Sequence, residues 1–329
     1  MDLDTLPRTL VASLVEDAVT APSMHNAQPW RFVHRADTGT LELYGDPARA
    51  LPSGDPDRRA LHLGCGACLF SLRVAAAHAG LRAEVHLLPD PTDPWHLARI
   101  HLGPALGPDP ELAQLRWALR RRHTNRFPFS EKRVPTPVLE GLRQAAVEEG
   151  CRLALPDAWH ADFVLDLVHD SRLFEAVDEA MREEIRRWTR TQDRREEAAT
   201  EGIPAYALGP RQEGVSTPVR DFDPGRRMAD RQVVPFERHP QLALLGTVRD
   251  TAADWLTAGQ AMQRVLLRAT LDGLATSLMT QPLEWPELRP IVRDPGSDSG
   301  FVQMIIRFGY GPPTPATPRR PVSEVLDFT

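Results

Sequence analysis

The chain has 329 residues, of which 42% are hydrophobic and 26% charged, with a net charge of −6 and three cysteines. Its length allows two domains, or two halves of one unit. The acidic balance gives no support for a nucleic-acid surface, three cysteines are too few for a disulfide framework, and no run of about 18 apolar residues suggests a membrane span.

The start, Met1-Asp2-Leu3-Asp4, lacks the basic, apolar layout of a signal peptide, so a soluble cytoplasmic protein is expected. Residues 6–19 carry apolar side chains at Leu6, Leu10, Leu14, Val15 and Ala18, a helical stripe. A loop follows, in which Pro22 and Ser23 break the helix and Pro29 holds Gln28 extended. Asn26 and Gln28 there are amides able to hydrogen-bond a flat heterocycle. Residues 30–35 and 41–44 predict a hairpin turning at Asp37-Thr38-Gly39. Residues 57–79 read as one long helix, dense in small residues around Gly64, Gly66 and Ala67 and ended by Gly80. Strands are expected at 82–88 and 97–102, and the Gly/Pro-rich run 103–110 reads as a linker.

Beyond the linker, helices are expected at 111–122 and at 136–149, the latter with Pro137 in its first turn. A strand at 151–155 leads to one long helix over 157–188, capped by Asp157. No period persists over 191–241, yet Tyr206, Phe222, Val233, Val234 and Phe236 are scattered through it, which favours a lid. A helix over 242–270, strands at 274–279 and 301–308, a short helix at 286–292 and a proline-rich surface tail at 309–329 complete an α+β chain.

Two stretches superpose at one constant offset. Gly66 falls on Gly259, and Gly80-Leu81 falls on Gly273-Leu274. Each is a long helix leaving through Gly-Leu into a strand. The reading is a tandem duplication, with halves at 1–108 and 109–329 and a lid-like insertion at about 191–241. Two unrelated helix–Gly–strand units would give the same match.

Ala21-Pro22-Ser23-x-x-Asn26-x-Gln28-Pro29-Trp30-x-Phe32 resembles the signature of the FMN-dependent nitroreductase family. Arg122-x-Thr124-x-Arg126 is similar to that family's phosphate motif. Guanidinium forks and a hydroxyl at alternating positions suit a phosphate dianion, although a basic helix end favoured by the macrodipole has the same composition. The likeness is nearest to the divergent, duplicated single-chain branch that includes the Acg-like proteins. It implies an α+β nitroreductase-like fold of two tandem halves, each a β-sheet flanked by helices, forming an intrachain pseudo-dimer and hence a monomer.

In the family each FMN site draws on both subunits. Here Pro22, Ser23, Met24, Asn26 and Gln28 stand in one half and Arg122, Thr124 and Arg126 in the other, which implies one FMN per chain. Met279, Thr280, Gln281 and Pro282 stand where the family places backbone beside the flavin N5, but its usual Gly or Glu-Gly is absent. Arg320, with Arg319, resembles the family's C-terminal basic motif near the phosphate; an ordinary basic tail is the plain reading. The activity implied is hydride transfer from NADH or NADPH through FMN to a small-molecule electron acceptor, a nitro compound or a quinone. Two other readings stand beside it: an FMN-sequestering protein with a lid blocking the site, and a flavin-free structural remnant. No catalytic acid–base residue and no metal is expected. Cys65 and Cys68 read as small hydrophobes within a helix, and His62 and His78 as structural.

Overall fold

In the computed structural model, residues 6–190, 199–212, 219–223, 231–297 and 299–329 are described. The acidic start Met1 to Asp4 lies outside them, as do 191–198, 213–218 and 224–230 of the expected lid. The first stripe forms α1 (Arg8–Ala18), which buries Val11, Leu14, Val15 and Ala18. The hairpin follows as β1 (Trp30–Arg35) and β2 (Thr40–Gly45), paired antiparallel from Trp30↔Gly45 to Arg35↔Thr40. Next come α2 (Arg59–His78), β3 (Leu81–Leu87) and β4 (His96–Pro104).

The helix expected at 111–122 is instead two short pieces, α3 (Pro110–Gln114) and α4 (Arg116–Leu119). Beyond Leu119 the chain is drawn to a sheet edge, where Asn125 N donates to Thr276 O at 2.8 Å. Arg122, Thr124 and Arg126 therefore lie past the helix rather than on it. The next elements are α5 (Thr136–Val147), β5 (Arg152–Ala154), α6 (Ala158–Val177) and α7 (Glu179–Trp188). A single helix was expected over 157–188. It breaks at Asp178, extended at φ −89 and ψ 105, whose carboxylate accepts from Met181 N and caps α7.

The two-residue strands β6 (Arg211–Gln212) and β7 (Val233–Val234) pair within the insertion. The expected helix over 242–270 is corrected at its start. Residues 241–247 form a strand, β8 (Gln241–Thr247), and the helix α8 (Ala252–Leu271) begins only after the Thr251/Asp254 capping box. β8 lies between two neighbours and is buried from Leu242 to Thr247, so it shows no alternation to mark it as a strand. The chain ends with β9 (Ala275–Met279), β10 (Phe301–Gly309) and β11 (Leu326–Phe328). The expected helix at 286–292 shrinks to a single 3₁₀ turn, Arg289–Val292. The tail does not merely lie on the surface: β11 joins the first sheet beside β1, parallel, with Phe32 opposite Leu326.

One sheet runs β11-β1-β2-β4-β3 and the other β5-β8-β10-β9. Apart from β11, each is ordered first, second, fourth, third, with every pair antiparallel. Both carry an irregularity between their second and fourth strands, at Leu43/Tyr44 and at Val302/Met304. The helix between second and third strands is 20 residues long in both. These helices, α2 and α8, cross where neither backbone can carry a side chain. A Cβ on Gly66 would fall 2.2 Å from Leu256 O, and one on Gly259 would fall 2.2 Å from Leu63 O. By length and composition α2 could cross a membrane, but 89% of its apolar window is buried in the protein. It is the spine of a core shared by both sheets.

Candidate functional site

The loop after α1 is folded tightly onto α2. His25, Asn26 and Gln28 take left-handed backbone angles, φ 52, 55 and 54, a cost that non-glycine residues bear where the surroundings fix them. Ser23 Oγ accepts from Gln28 N at 2.9 Å and closes the loop. Gly64 makes room for it, since a Cβ there would lie 3.3 Å from that of Ser23.

The Asn26 and Gln28 amides do not line the neighbouring cavity, contrary to the role expected of them. Asn26 Nδ2 donates to Gly202 O (3.0 Å) and Pro318 O (3.2 Å), and its Oδ1 accepts from Arg319. Gln28 Nε2 donates to Thr200 O at 2.6 Å, and its Oε1 accepts from Arg320 N at 2.8 Å. Both amides are spent tying the loop to the insertion and the tail. Arg320 also serves as a tie, donating to Glu324 O at 2.8 Å and lying 3.8 Å from Asp46.

A cavity of about 70 Å³ lies at the junction of the halves. Pro22, Ser23, Met24 and His25 form one wall and Thr124 and Arg126 another, with Thr280 and Gln281 behind them. Met279 and Pro282 are not among its lining residues. Gln281 is 2% exposed and its Nε2 has no partner. Buried polar groups are normally satisfied, so this amide marks a place shaped for something else.

The strongest such mark lies behind the loop. Arg122 and Arg319 come from opposite ends of the chain and both donate to Thr20 O, at 3.1 and 3.2 Å. Arg319 adds Ala21 O at 3.1 Å and Asn26 Oδ1 at 2.9 Å. Burial pushes both guanidiniums down, Arg122 to about 9 and Arg319 to about 10, and the charge of Arg319 adds to the lowering of Arg122. Neither has a carboxylate within ion-pair distance among the described residues. One buried and one partly buried cation, held by carbonyls and, at Arg319, also by Thr317 Oγ1 at 2.7 Å, have the charge and forks that suit an anion, best a dianion.

Sequence reasoning expects a lid over 191–241 that includes Phe222, but it singles out neither Val219 nor Arg220. Val219, Arg220 and Phe222, from the insertion, complete the lining of the cavity. The Phe222 ring meets His25 edge-on at 5.7 Å, and the Arg126 guanidinium lies over it at 5.1 Å. Arg220 pairs with Glu175 and Glu284, both at 2.6 Å, and donates to His25 Nε2 at 3.2 Å. An arginine only donates, so His25 carries its proton on Nδ1, which is buried without a partner. Burial and the charges of Arg220 and Arg126 hold that imidazole well below its usual value. Arg126 itself is lowered to about 10 by burial and by Arg220 and Arg231. No motif signals these capping residues. Their segment has no period, and their partners stand far away in the chain.

The other expected features are structural. Cys65 and Cys68 are buried and unpaired, and burial raises both thiols, so neither is a nucleophile. The His62 ring bonds Arg58 O at 2.6 Å and meets Trp255 edge-on. No cluster among the described residues could hold a metal.

Fold and site together define an α+β protein whose two sheets share one antiparallel four-strand order, packed through two crossed helices, with a cavity and a pair of arginines where they meet. The nitroreductase family model matches residues 119–310. A putative NAD(P)H nitroreductase of Mycobacterium tuberculosis, Rv3131, is 35% identical over 323 residues, covering 97% of this chain and 91% of the relative. The putative NAD(P)H nitroreductase acg of the same organism is 34% identical over 332 residues, covering 98% and 97%. Among solved structures, a putative nitroreductase from Anabaena variabilis aligns over 92% of this chain and 73% of its own, at 11% identity and a TM-score of 0.42. The chain belongs to the nitroreductase family.

Proposed function

We propose that the chain is an FMN-dependent oxidoreductase that takes hydride from NADH or NADPH and delivers it to a small acceptor, a nitro compound or a quinone. The observation that carries this reading is the Arg122–Arg319 pair, a buried and a partly buried cation without an acid within ion-pair distance among the described residues, beside the Pro22–His25 wall. When bound, FMN supplies a ring that accepts hydride and gives it up again. The protein's residues hold and tune it. Arg122 and Arg319 take the phosphate, and Thr124 adds a hydroxyl from the same strand-like run. Arg126 brings positive charge to the cavity, which favours negative charge developing there. Gln281 Nε2 is a donor awaiting an acceptor. Asn26, Gln28 and Arg320 act at one remove, by fixing the loop against the tail.

The chain is further read as two tandem halves, 1–108 and 109–329, joined as a pseudo-dimer within a monomer that holds one flavin. The common strand order, the equal helices and the Gly66–Gly259 crossing support this. In the second half the connection matching the signature loop runs only from 148 to 151. There Glu149 pairs with Arg73 at 2.5 Å and Arg264 at 2.9 Å. A short, ion-paired turn offers no second wall for a flavin.

A second reading, sequestration of FMN, is favoured by the cap. Val219, Arg220 and Phe222 help confine the cavity to about 70 Å³, against about 300–1,000 Å³ for ordinary ligand clefts. Either reading requires this segment to move for flavin to enter, and the first also requires it to admit a nicotinamide. Anaerobic absorbance separates them. Bleaching of a flavin band near roughly 450 nm by NADPH or NADH supports the reductase. A band that only dithionite bleaches supports sequestration. No band after incubation with FMN defeats both.

A further inference from the structure

A second and larger cavity lies behind the wall formed by residues 59–60 and 281–284. Ala60 and Gln281 face the flavin-site cavity, whereas Arg59 and Glu284 face this one. Its volume is about 580 Å³, within the range of about 300–1,000 Å³ of small-molecule sites. Leu283, Pro286, Pro290 and Val302 give it apolar walls, so it suits a ligand with a hydrophobic body.

Its polar groups are unevenly engaged. Arg59 is 5% exposed and donates to Gln303 O at 2.6 Å, with longer contacts to Gln303 Oε1 (3.4 Å) and Leu283 O (3.5 Å). Five guanidinium N–H groups are available, and no carboxylate among the described residues lies within ion-pair distance. Burial, aided by the charge of Arg289, lowers Arg59 to about 10, which leaves it a cation at neutral pH. Ser299 is 1% exposed, and its Oγ has no partner among the described residues.

Three of the acids around the cavity are engaged, while a fourth, Asp57, stands exposed in its lining. Asp55 accepts from Ala60 N and Leu61 N, both at 2.8 Å, and caps α2; burial pushes its carboxyl up to about 7. Asp250 takes Arg289 (2.5 Å), Trp255 Nε1 (2.6 Å) and Gln303 Nε2 (3.0 Å). Glu284 Oε2 is held by Arg220 at 2.6 Å. Arg59 and Ser299 are its buried cation and buried hydroxyl, set among apolar walls, and Arg152, Arg289 and Arg293 also line it. That combination selects a single negative charge, because a second would lie close to Asp55 and Asp250.

We propose that this cavity binds a small apolar carboxylate, its anionic end on Arg59 and Ser299 Oγ and its body against Leu283, Pro286 and Pro290. This site does not depend on the flavin reading, since its residues are separate from Arg122, Arg126 and Arg319. A carboxylate there would lie one wall away from the flavin-site cavity, beside the Glu284 that holds the capping Arg220.

The test uses isothermal titration of the purified full-length chain with 2-naphthoate, with 2-naphthylmethanol as its neutral counterpart and inorganic phosphate as an anion lacking the apolar body. One 2-naphthoate per chain is expected, with at least tenfold weaker binding of the alcohol and of phosphate. Ser299→Ala removes a buried hydroxyl that has no partner among the described residues, so its melting temperature should hold or rise. Its affinity for 2-naphthoate should fall about three- to tenfold, the loss of one hydrogen bond. Arg59→Gln should lose binding by more than tenfold, and its melting curve shows whether it remains folded. The proposal is overturned by equal binding of acid and alcohol, by phosphate binding as tightly as naphthoate, or by no naphthoate binding at millimolar concentration. Unchanged affinity in Ser299→Ala, or in a folded Arg59→Gln, overturns it as well. So does competition between the probe and FMN, because that places the probe in the other cavity.

Discussion

Arg122 and Arg319 pull in opposite directions in the free and the loaded protein. In the free chain they are like charges, Arg122 buried and Arg319 partly so, and each lacks a counter-ion among the described residues. Removing one relieves repulsion and desolvation. In the proposed flavin-loaded chain the same charge would hold the phosphate through charge-assisted hydrogen bonds worth about 1.5–3 kcal/mol. Arg319→Met also strips the bonds to Thr20 O, Ala21 O and Asn26 Oδ1, so it is expected to lower the flavin-free melting temperature and to weaken FMN about ten- to a hundredfold. Flavin fluorescence titration and a melting curve read both halves of this prediction, and undiminished FMN affinity would sink the phosphate assignment. His25 gives a pH-dependent counterpart. Its folded pKa lies well below 6.5, so below that value the unfolded chain binds a proton that the folded chain refuses, and stability falls as pH drops. His25→Asn tolerates the left-handed backbone but does not titrate. It should be less stable than the parent at pH 7.5 through loss of the Phe222 and Arg220 contacts. That gap should narrow as pH falls below 6.5, by at most about 1.4 kcal/mol per unit. A constant gap in parallel melts from pH 7.5 to 5 would show that His25 is not held neutral. At this scale the sequence displays residue types but not directions. Arg122, Thr124 and Arg126 are recognisable from alternate spacing, whereas nothing local shows that Asn26 and Gln28 turn to the backbone, or that Arg220 reaches His25 across 195 positions.

Helix α2 and helix α8 show which parts of an element are written locally. The glycine that must be absent of a side chain at the crossing is visible as a match at constant offset, and so is each exit through a left-handed glycine, φ 74 at Gly80 and 76 at Gly273. These are steric demands on single residues, and sequence records them. Strand β8 was misread as helix because burial on both faces removes alternation, and the break at Asp178 was missed because a capping aspartate inside a helical run resembles a surface acid. Strand β11 is three residues long; its pairing depends on where β1 already lies. The crossing yields a paired prediction. Gly66→Ala and Gly259→Ala each drive a methyl to 2.2 Å from a carbonyl oxygen of the other helix. Helices cannot yield cheaply there, so each variant should lose about 1–3 kcal/mol or more, and the two losses should be alike because they report one contact from both sides. Gly80→Ala meets nothing within 4 Å, so its cost is the backbone term alone, about 1–2 kcal/mol. Chemical denaturation of the three variants measures this, and a large inequality between the first two would mean that the crossing is not the symmetric contact described.

At the scale of the whole molecule, the two proposed halves would divide one task unequally. The first supplies the loop Pro22–His25, the second supplies Arg122, Thr124 and Arg126, and the tail returns Arg319 and β11 to the first. The long insertion between β5 and β8 then places Phe222 over the result. Because the insertion belongs to the same chain, the cap is present at all protein concentrations, and its removal should be felt directly. Phe222→Ala is expected to speed flavin loading and bleaching by NADPH severalfold in stopped-flow absorbance, and an unchanged rate would place the barrier elsewhere. The asymmetry also sets a number. The proposed flavin site uses both a loop wall and a basic pair, and each occurs once among the described residues. The matching place in the second half is the turn 148–151, where Glu149 is locked to Arg73 and Arg264. Burying a phosphate or an electron-rich ring against a carboxylate already paired on both sides would break those pairs and gain no cation. Titration of FMN into the flavin-free chain should therefore break sharply at one equivalent per chain, and the break should stay there on dilution because no second chain contributes a residue. A break at two equivalents would mean that the second half holds a site of its own, and a break at one half would mean that two chains build the site between them.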